Sequence, residues 1–398
     1  MNNIRRIRAG WLIDGTGRSV QQDAVMLIEN NYIQAVMPIT GDMPQPDSDL
    51  SDYTILPGLI DSHLHLSMSG KNDPEIRTTQ LTAPFEDVKD IISEHIRQLL
   101  AYGVIAARDG GDHYAHALRY KQKCLIPGEF CLKVAGKAWH KPGRYGSLIG
   151  RPPSQTLAEA ILTHSDGADH VKIVQSGLNS LKNFGKQTPP QFSSDELSRA
   201  VETANHLKLP VMVHTNGEIP TRIAIEAGCH SVEHGFFMGE DNLRQMADKG
   251  IFWVPTAYTM KAYAEQLHGS KEADIARKNL DHQLEQIAKA KQFGVLIAVG
   301  TDAGCPGVHH GAAIIEELKL LMHAGFSLSE AIQCSTLNGA KLLGLKDSGR
   351  LAPGMKADFI AVKGTPACLP DYPSFRFSKE TSQKKPDDTH SYHPAAFL

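Results

Sequence analysis

"LPGLIDSHLHL", residues 56–66, is a run of apolar and small residues that ends in two histidines, His63 and His65, one leucine apart. Residues two apart on a strand project to the same face, so both imidazoles can reach one metal ion while Leu64 turns to the other side. The chain has 19 histidines among 398 residues, and about one such H-x-H pair is expected from random placement. The stretch therefore takes its meaning from what the later strands carry.

Seven further apolar runs follow: "GVIAARDGG", "FCLKVAGKA", "HVKIVQSG", "PVMVHTNG", "HSVEHGFF", "GIFWVPTAY" and "GVLIAVGTDAG". Between most of them lie amphipathic segments such as "FEDVKDIISEHIRQLLAYG" and "SSDELSRAVETANHLKLP", the second opening on a Ser or Asp N-cap. This is the rhythm of βα units around a parallel sheet. It predicts an α/β protein with a (β/α)8 TIM barrel over residues 55–344. The first fifty residues read as short strands, with a tight turn at Asn30 and Asn31, and "MPQPDSDLSDY" reads as a connector. Beyond the barrel, "GRLAPGMKADFIAVKG" reads as a turn and an apolar strand. Residues 1–54 and 345–398 are expected to form a small β-sandwich domain, with an irregular tail over 365–398 rich in Pro, Ser, Asp and Lys.

A formal charge of −3 supplies no basic field for nucleic acid or an anionic membrane. The expected partners are a small-molecule substrate and, as a homo-oligomer, further copies of the chain. Six scattered cysteines without a C-x-x-C pair exclude a disulfide framework and a cysteine zinc cage. No signal-peptide or membrane-length apolar stretch is present, so a cytoplasmic location is expected.

Catalytic groups of such a barrel come from the C-terminal ends of its strands. There the runs place His63 and His65, Lys172, His214, His234 and Asp302. One histidine at a strand end is as readily a hydrogen-bonded core residue; six ionisable residues at equivalent ends form a pattern. Imidazole and carboxylate are ligands for zinc or a similar divalent ion. Lys172 is the odd member: it is either a salt-bridged core residue or a deprotonated, chemically altered one. An uncharged amine can add carbon dioxide to become a carbamate with two donor oxygens. His170 and His230 lie deeper on the same strands and read as support, as do His309 and His310 after Asp302.

The set "HLH", "VKIV", "VHTNG", "EHG" and "GTDAG", with "PGMKADFIAV" downstream, resembles the amidohydrolase superfamily of metal-dependent hydrolases across nearly the whole chain. Within it, "GTDAGCPGVHHG" and "TLNGAKLLGL" look most like the branch of imidazolonepropionase-related and Xaa-Pro dipeptidase-like enzymes. The resemblance implies two divalent ions, zinc by expectation. His63, His65 and Asp302 would bind one and His214 and His234 the other, with carboxylated Lys172 between them. It also implies that a hydroxide held between the ions attacks an amide-type carbonyl of a small molecule, with Asp302 as catalytic base and then acid. A dipeptide or N-acyl amino acid is favoured. The alternative on the same scaffold is a mononuclear deaminase or a cyclic amide (imidazolone or lactam) hydrolase. Deaminases of this fold carry H-x-x-E, whereas "HTNGE" puts Glu218 one position later.

Specificity is expected from loops beyond the strands. "GKAWHKPGRYGSLIGRPP" offers His140, Arg144 and Tyr145 as substrate-binding residues, Arg144 as a bidentate clamp for a carboxylate. Tyr258, just past the seventh run, is placed to line the same pocket.

Overall fold

The computed structural model describes residues 4–41, 44–165, 167–369 and 376–378. The chain starts with four strands, β1 (Arg5–Leu12), β2 (Gln21–Glu29), β3 (Tyr32–Pro38) and β4 (Ser48–Pro57). β2 and β3 form an antiparallel hairpin. Its turn residues Asn30 and Asn31 have φ of 52° and 65°, the left-handed geometry that such two-residue turns demand.

Gly58 alone separates β4 from the first strand of the parallel array, β5 (Leu59–Leu64). β5, β6 (Val104–Asp109) and β7 (Cys131–Val134) form one parallel sheet. A second parallel sheet holds β8 (Ala138–Trp139), β9 (Gly150–Arg151), β10 (Val171–Val174), β11 (Val211–Thr215), β12 (Ser231–His234) and β13 (Phe252–Val254), in the order β13-β12-β11-β10-β8-β9. The third run of the sequence thus splits into β7 and β8 around Gly136, whose φ is 72°. A left-handed residue breaks the strand and lets its halves pair with different neighbours.

The eighth run makes no regular strand. It joins its neighbours through isolated bridges, Trp253 to Ile297 and Leu64 to Ala303. Backbone hydrogen bonds run from Ala298 N to Trp253 O (3.0 Å), Ser62 N to Val299 O (2.8 Å) and Asp302 N to His63 O (2.7 Å). The segment therefore ties β13 to β5 and draws the two sheets into a TIM-barrel-like array.

Helices pack their apolar stripes on the outside. Ser193 caps the helix Ser194–His206 and forms a capping box with Glu196, while Leu197, Ala200, Val201 and Ala204 are buried beneath it. Burial of each large aliphatic contributes roughly 1.5–3 kcal/mol.

The chain then returns to the small domain. β14 (Phe359–Lys363) pairs antiparallel with β4, and β15 (Arg376–Ser378) with β14. The result is one six-stranded sheet, β15-β14-β4-β1-β2-β3, where a two-layer sandwich was expected. The reason is that β4 hydrogen-bonds on both edges and leaves no break between layers. Phe359 and Ala361 face the small domain's own cluster, and Ile360 and Val362 join the main core. β15 lies within the stretch expected to be irregular; the rest of that tail from residue 370 is outside the described residues.

Candidate metal centre

Alternation along the strands aims the ionisable residues inward. On β10, Val171 and Ile173 join the outer core and Lys172 points the other way; on β11, Val211 and Val213 do the same and leave His214 inside. β12 breaks the rule: Glu233 and His234 are adjacent, yet both are buried at the site. His234 has φ 65°, and Asp302, beyond the eighth run, has φ 57°. Non-glycine residues held there cost of order 1–3 kcal/mol each and tend to mark functional sites. Here the unusual backbone turns His234 back toward its neighbours.

All six candidate ligands line one cavity of about 190 Å³. Ligand atoms of His63, His65 and Asp302 lie within 4.8 Å of one another. His63 Nε2 is 3.6 Å and His65 Nε2 3.4 Å from Asp302 Oδ1. Such separations suit ligands at roughly 2 Å around a shared ion. Lys172 Nζ is 3.5 Å from His63 Nε2. The His214 and His234 rings are 4.5 Å apart, and His234 lies 5.0 Å from His63.

Neighbours fix which nitrogen faces inward. His63 Nδ1 donates to Glu233 Oε2 (2.8 Å) and His65 Nδ1 to the Gly111 carbonyl (2.9 Å), leaving both Nε2 lone pairs for a ligand. His214 Nε2 donates to the Gly177 carbonyl (3.3 Å), which frees its Nδ1. His234 Nδ1 meets the Thr256 hydroxyl at 2.6 Å. Beneath them Glu233 is paired with buried Arg108 (2.9 Å), whose Nε holds the Ser62 carbonyl (2.7 Å).

Burial sets the charges. It holds His63 and His234 well below the ordinary imidazole value and His214 at about 3, so all three are neutral. Burial lowers the Lys172 ammonium to about 8, against the pull of Glu233 and Asp302. Burial raises Asp302, with His65 opposing. Neutral imidazoles converging with a carboxylate form a donor set that fits a divalent ion.

The loops depart from expectation. Tyr145 lines the cavity, its ring 5.1 Å from His214. His140, Arg144 and Tyr258 are not among the described residues that line it. Gly146, at φ 133°, folds back against the His140 ring, and His140 Nδ1 donates to the Lys141 carbonyl (2.9 Å). Arg144, expected as a carboxylate clamp, instead donates from Nη2 to the Pro189 carbonyl (2.8 Å). Tyr258 N donates to Glu317 Oε1 (2.8 Å), and its ring lies under Lys261. Glu218, the acid weighed for a deaminase, is exposed outside the cavity.

Sequence reasoning missed Glu233, Arg77, Tyr263 and His95. His95 and His310 stack with ring centroids 3.9 Å apart and bind the carbonyls of Leu66 (2.8 Å) and His65 (3.2 Å). Glu233 had a signal, an acid beside a ligand histidine. Arg77 sits in a segment with no motif.

The fold and this donor set together define a site suited to metal-dependent hydrolysis. The sequence model of the amidohydrolase family matches residues 54–388, and the chain belongs to that family. It is 25% identical to the ochratoxinase of Aspergillus niger over 397 residues, covering 90% of this chain and 81% of that one. It is 30% identical to an imidazolonepropionase of Paracoccus denitrificans, covering 86% and 88% of the two chains. Among solved structures, a Xaa-Pro dipeptidase with methionine in its active site superposes with a TM-score of 0.77 at 28% identity, over 92% of this chain and 95% of that one.

Proposed function

We propose that this chain is a binuclear hydrolase that cleaves the amide C–N bond of a dipeptide or an N-acyl amino acid. The observation that carries this reading is Lys172, a buried amine 3.5 Å from His63 Nε2, in the cavity that also receives the other five ligand residues. A lysine near pKa 8 has a usable neutral fraction at neutral pH. Neutral amine plus carbon dioxide gives a carbamate and a proton, and the carbamate offers two donor oxygens that share one negative charge. His63, His65 and Asp302 would then hold one ion, His214 and His234 the other, and carboxylated Lys172 both.

Bound divalent ions would polarise the scissile carbonyl and lower the pKa of water toward neutrality. Asp302, raised by burial, is suited to take a proton and pass it to the departing nitrogen. The Cys305 thiol donates to Asp302 Oδ2 at 3.2 Å and steadies that carboxylate. Zinc is the metal we favour for the imidazole-rich set. All six cysteines are free thiols, which supports work in a reducing cytoplasm.

The dipeptidase and the imidazolonepropionase among its relatives support an amide-type substrate. Metal analysis of purified protein, kept in carbonate and free of chelator, tests the centre: two divalent ions per chain are expected, and fewer than one would overturn it. A screen of dipeptides, N-acyl amino acids and lactams against aminated heterocycles, scored for free amino acid and for ammonia, tests the reaction. Ammonia release from heterocycles alone would replace the reading with a deaminase.

A further inference from the structure

The helix Lys271–Phe293 sends Leu284, Ile287 and Ala290 into the main core, and it also buries three amides, Asn279, Gln283 and Gln286. Spaced by four and then three residues, the amides share one face of the helix. They reach loops beyond three different strands. Asn279 Nδ2 donates to Ser180 O (3.0 Å), beyond β10. Gln286 Nε2 donates to Gly235 O (3.3 Å) and its Oε1 accepts from Met238 N (3.1 Å), both beyond β12. Between them, Gln283 Nε2 donates to His234 O at the end of β12 and to Pro255 O (3.2 Å) beyond β13. Buried amides are costly unless hydrogen-bonded, and aliphatic residues would serve packing alone.

Gln283 is fixed in orientation. Its Oε1 accepts from Gln286 Nε2 (2.9 Å), which turns its NH2 group toward the two carbonyls. One of those carbonyls belongs to a candidate ligand with unusual backbone. The φ of His234, 65°, is followed by 64° at Gly235 and 56° at Phe237, and such backbone persists only where its surroundings over-determine it. Trp253 Nε1 supplies a second donor to His234 O (3.0 Å). The other carbonyl, Pro255 O, precedes Thr256, whose hydroxyl meets His234 Nδ1 at 2.6 Å. One NH2 group therefore holds both the backbone of His234 and the segment that orients its ring.

The other ion's ligands are held differently. His63 lies on regular β5, and Asp302, also left-handed, is tied through its own N to His63 O (2.7 Å).

We propose that Gln283 is a positioning residue for one metal of the pair: its amide keeps His234 in ligand geometry, so the ion on His214 and His234 depends on this helix while the ion on His63, His65 and Asp302 does not. This rests on the binuclear reading above and deepens it.

The test titrates metal-free wild type, Q283M, W253F and N279L with Co2+ in carbonate buffer, followed by visible absorption and by competition with a chelator. Wild type should take up two equivalents. Q283M should weaken one of them about 10- to 100-fold and hold the other within about threefold, as expected when a partner that orients a ligand is lost. W253F removes the other donor to the same carbonyl and should weaken the same equivalent, so either variant decides the matter if the other fails to fold. N279L deletes a buried amide four residues away on the same helix and should leave both affinities in place. The thermal midpoint of each metal-free protein reports folding separately.

Lowered midpoints with both affinities intact in Q283M and W253F would make Gln283 a packing amide and overturn the assignment. Equal weakening of both ions in Q283M and N279L alike would also overturn it, since the helix would then brace the whole array. A wild type that binds a single ion would remove the binuclear reading, and this inference with it. Two ions in wild type and in unaffected variants would remove this inference alone.

Discussion

At the scale of single residues, Lys172 is the most demanding side chain. Its pKa falls from 10.5 to about 8 in the fold, so between those values the unfolded chain binds a proton that the folded chain does not. Folded stability therefore rises with pH through that window and is lost as pH falls toward 8. The gap is worth about 3 kcal/mol at most, at 1.36 kcal/mol per pH unit. Metal-free, carbonate-free wild type should gain stability on K172M between pH 7.5 and 10 in denaturant titrations; parallel curves would contradict this. A second residue tests the ligand geometry. A Cβ on Gly110 would sit 2.8 Å from His65 Cε1 and 3.4 Å from His63 Nε2. G110A should therefore lower metal affinity tenfold or more, read by competition with a chromophoric chelator, while the thermal midpoint of the metal-free protein moves little. That the candidate ligands share one cavity was legible largely because strand alternation is a local rule. Glu233 follows the same alternation, inward beside outward Val232, whereas His234 joins it only through its positive φ, which periodicity does not show, and the direction of Arg144 was hidden because the glycines around it decide which way the loop faces.

At the scale of elements, the opening stretch is a junction. β4 runs into β5 through Gly58 alone, and a Cβ there would lie 2.7 Å from Ile105 Cδ1 and Cγ2 on β6. Overpacking of this kind costs typically 1–3 kcal/mol. G58A should destabilise by that amount, and I105A, which removes the clashing branch, should make the two changes couple in a double-mutant cycle. Simple additivity would show that the junction relaxes instead. Alternating apolar runs disclosed most strands and their order. They hid the split of the third run, which depends on one left-handed glycine, and the reduction of the eighth to isolated bridges. Periodicity records how apolar side chains are spaced, whereas pairing records which backbone groups meet.

At the scale of the whole molecule, the candidate ligands come from β5 and the residue just past it, from β10, β11 and β12, and from the segment that ties β13 back to β5. An ion on His63, His65 and Asp302 would bridge the place where Asp302 N already bonds His63 O at 2.7 Å. Metal binding should therefore stabilise the closure of the array as well as supply its chemistry. The sequence could not disclose this coupling, since it depends on which ends of the chain meet. For a ligand that binds only the folded state, the gain is about 4 kcal/mol when free metal exceeds its Kd by 1,000-fold. We expect zinc to raise the thermal midpoint by several degrees, an exhaustive chelator to reverse it, and D302N to blunt the response. The same midpoint with and without metal would mean that the array closes independently of the site. A midpoint that rises equally in wild type and D302N would place the stabilising ion elsewhere on the molecule. A response confined to wild type would tie the chemistry of the centre to the architecture that holds it.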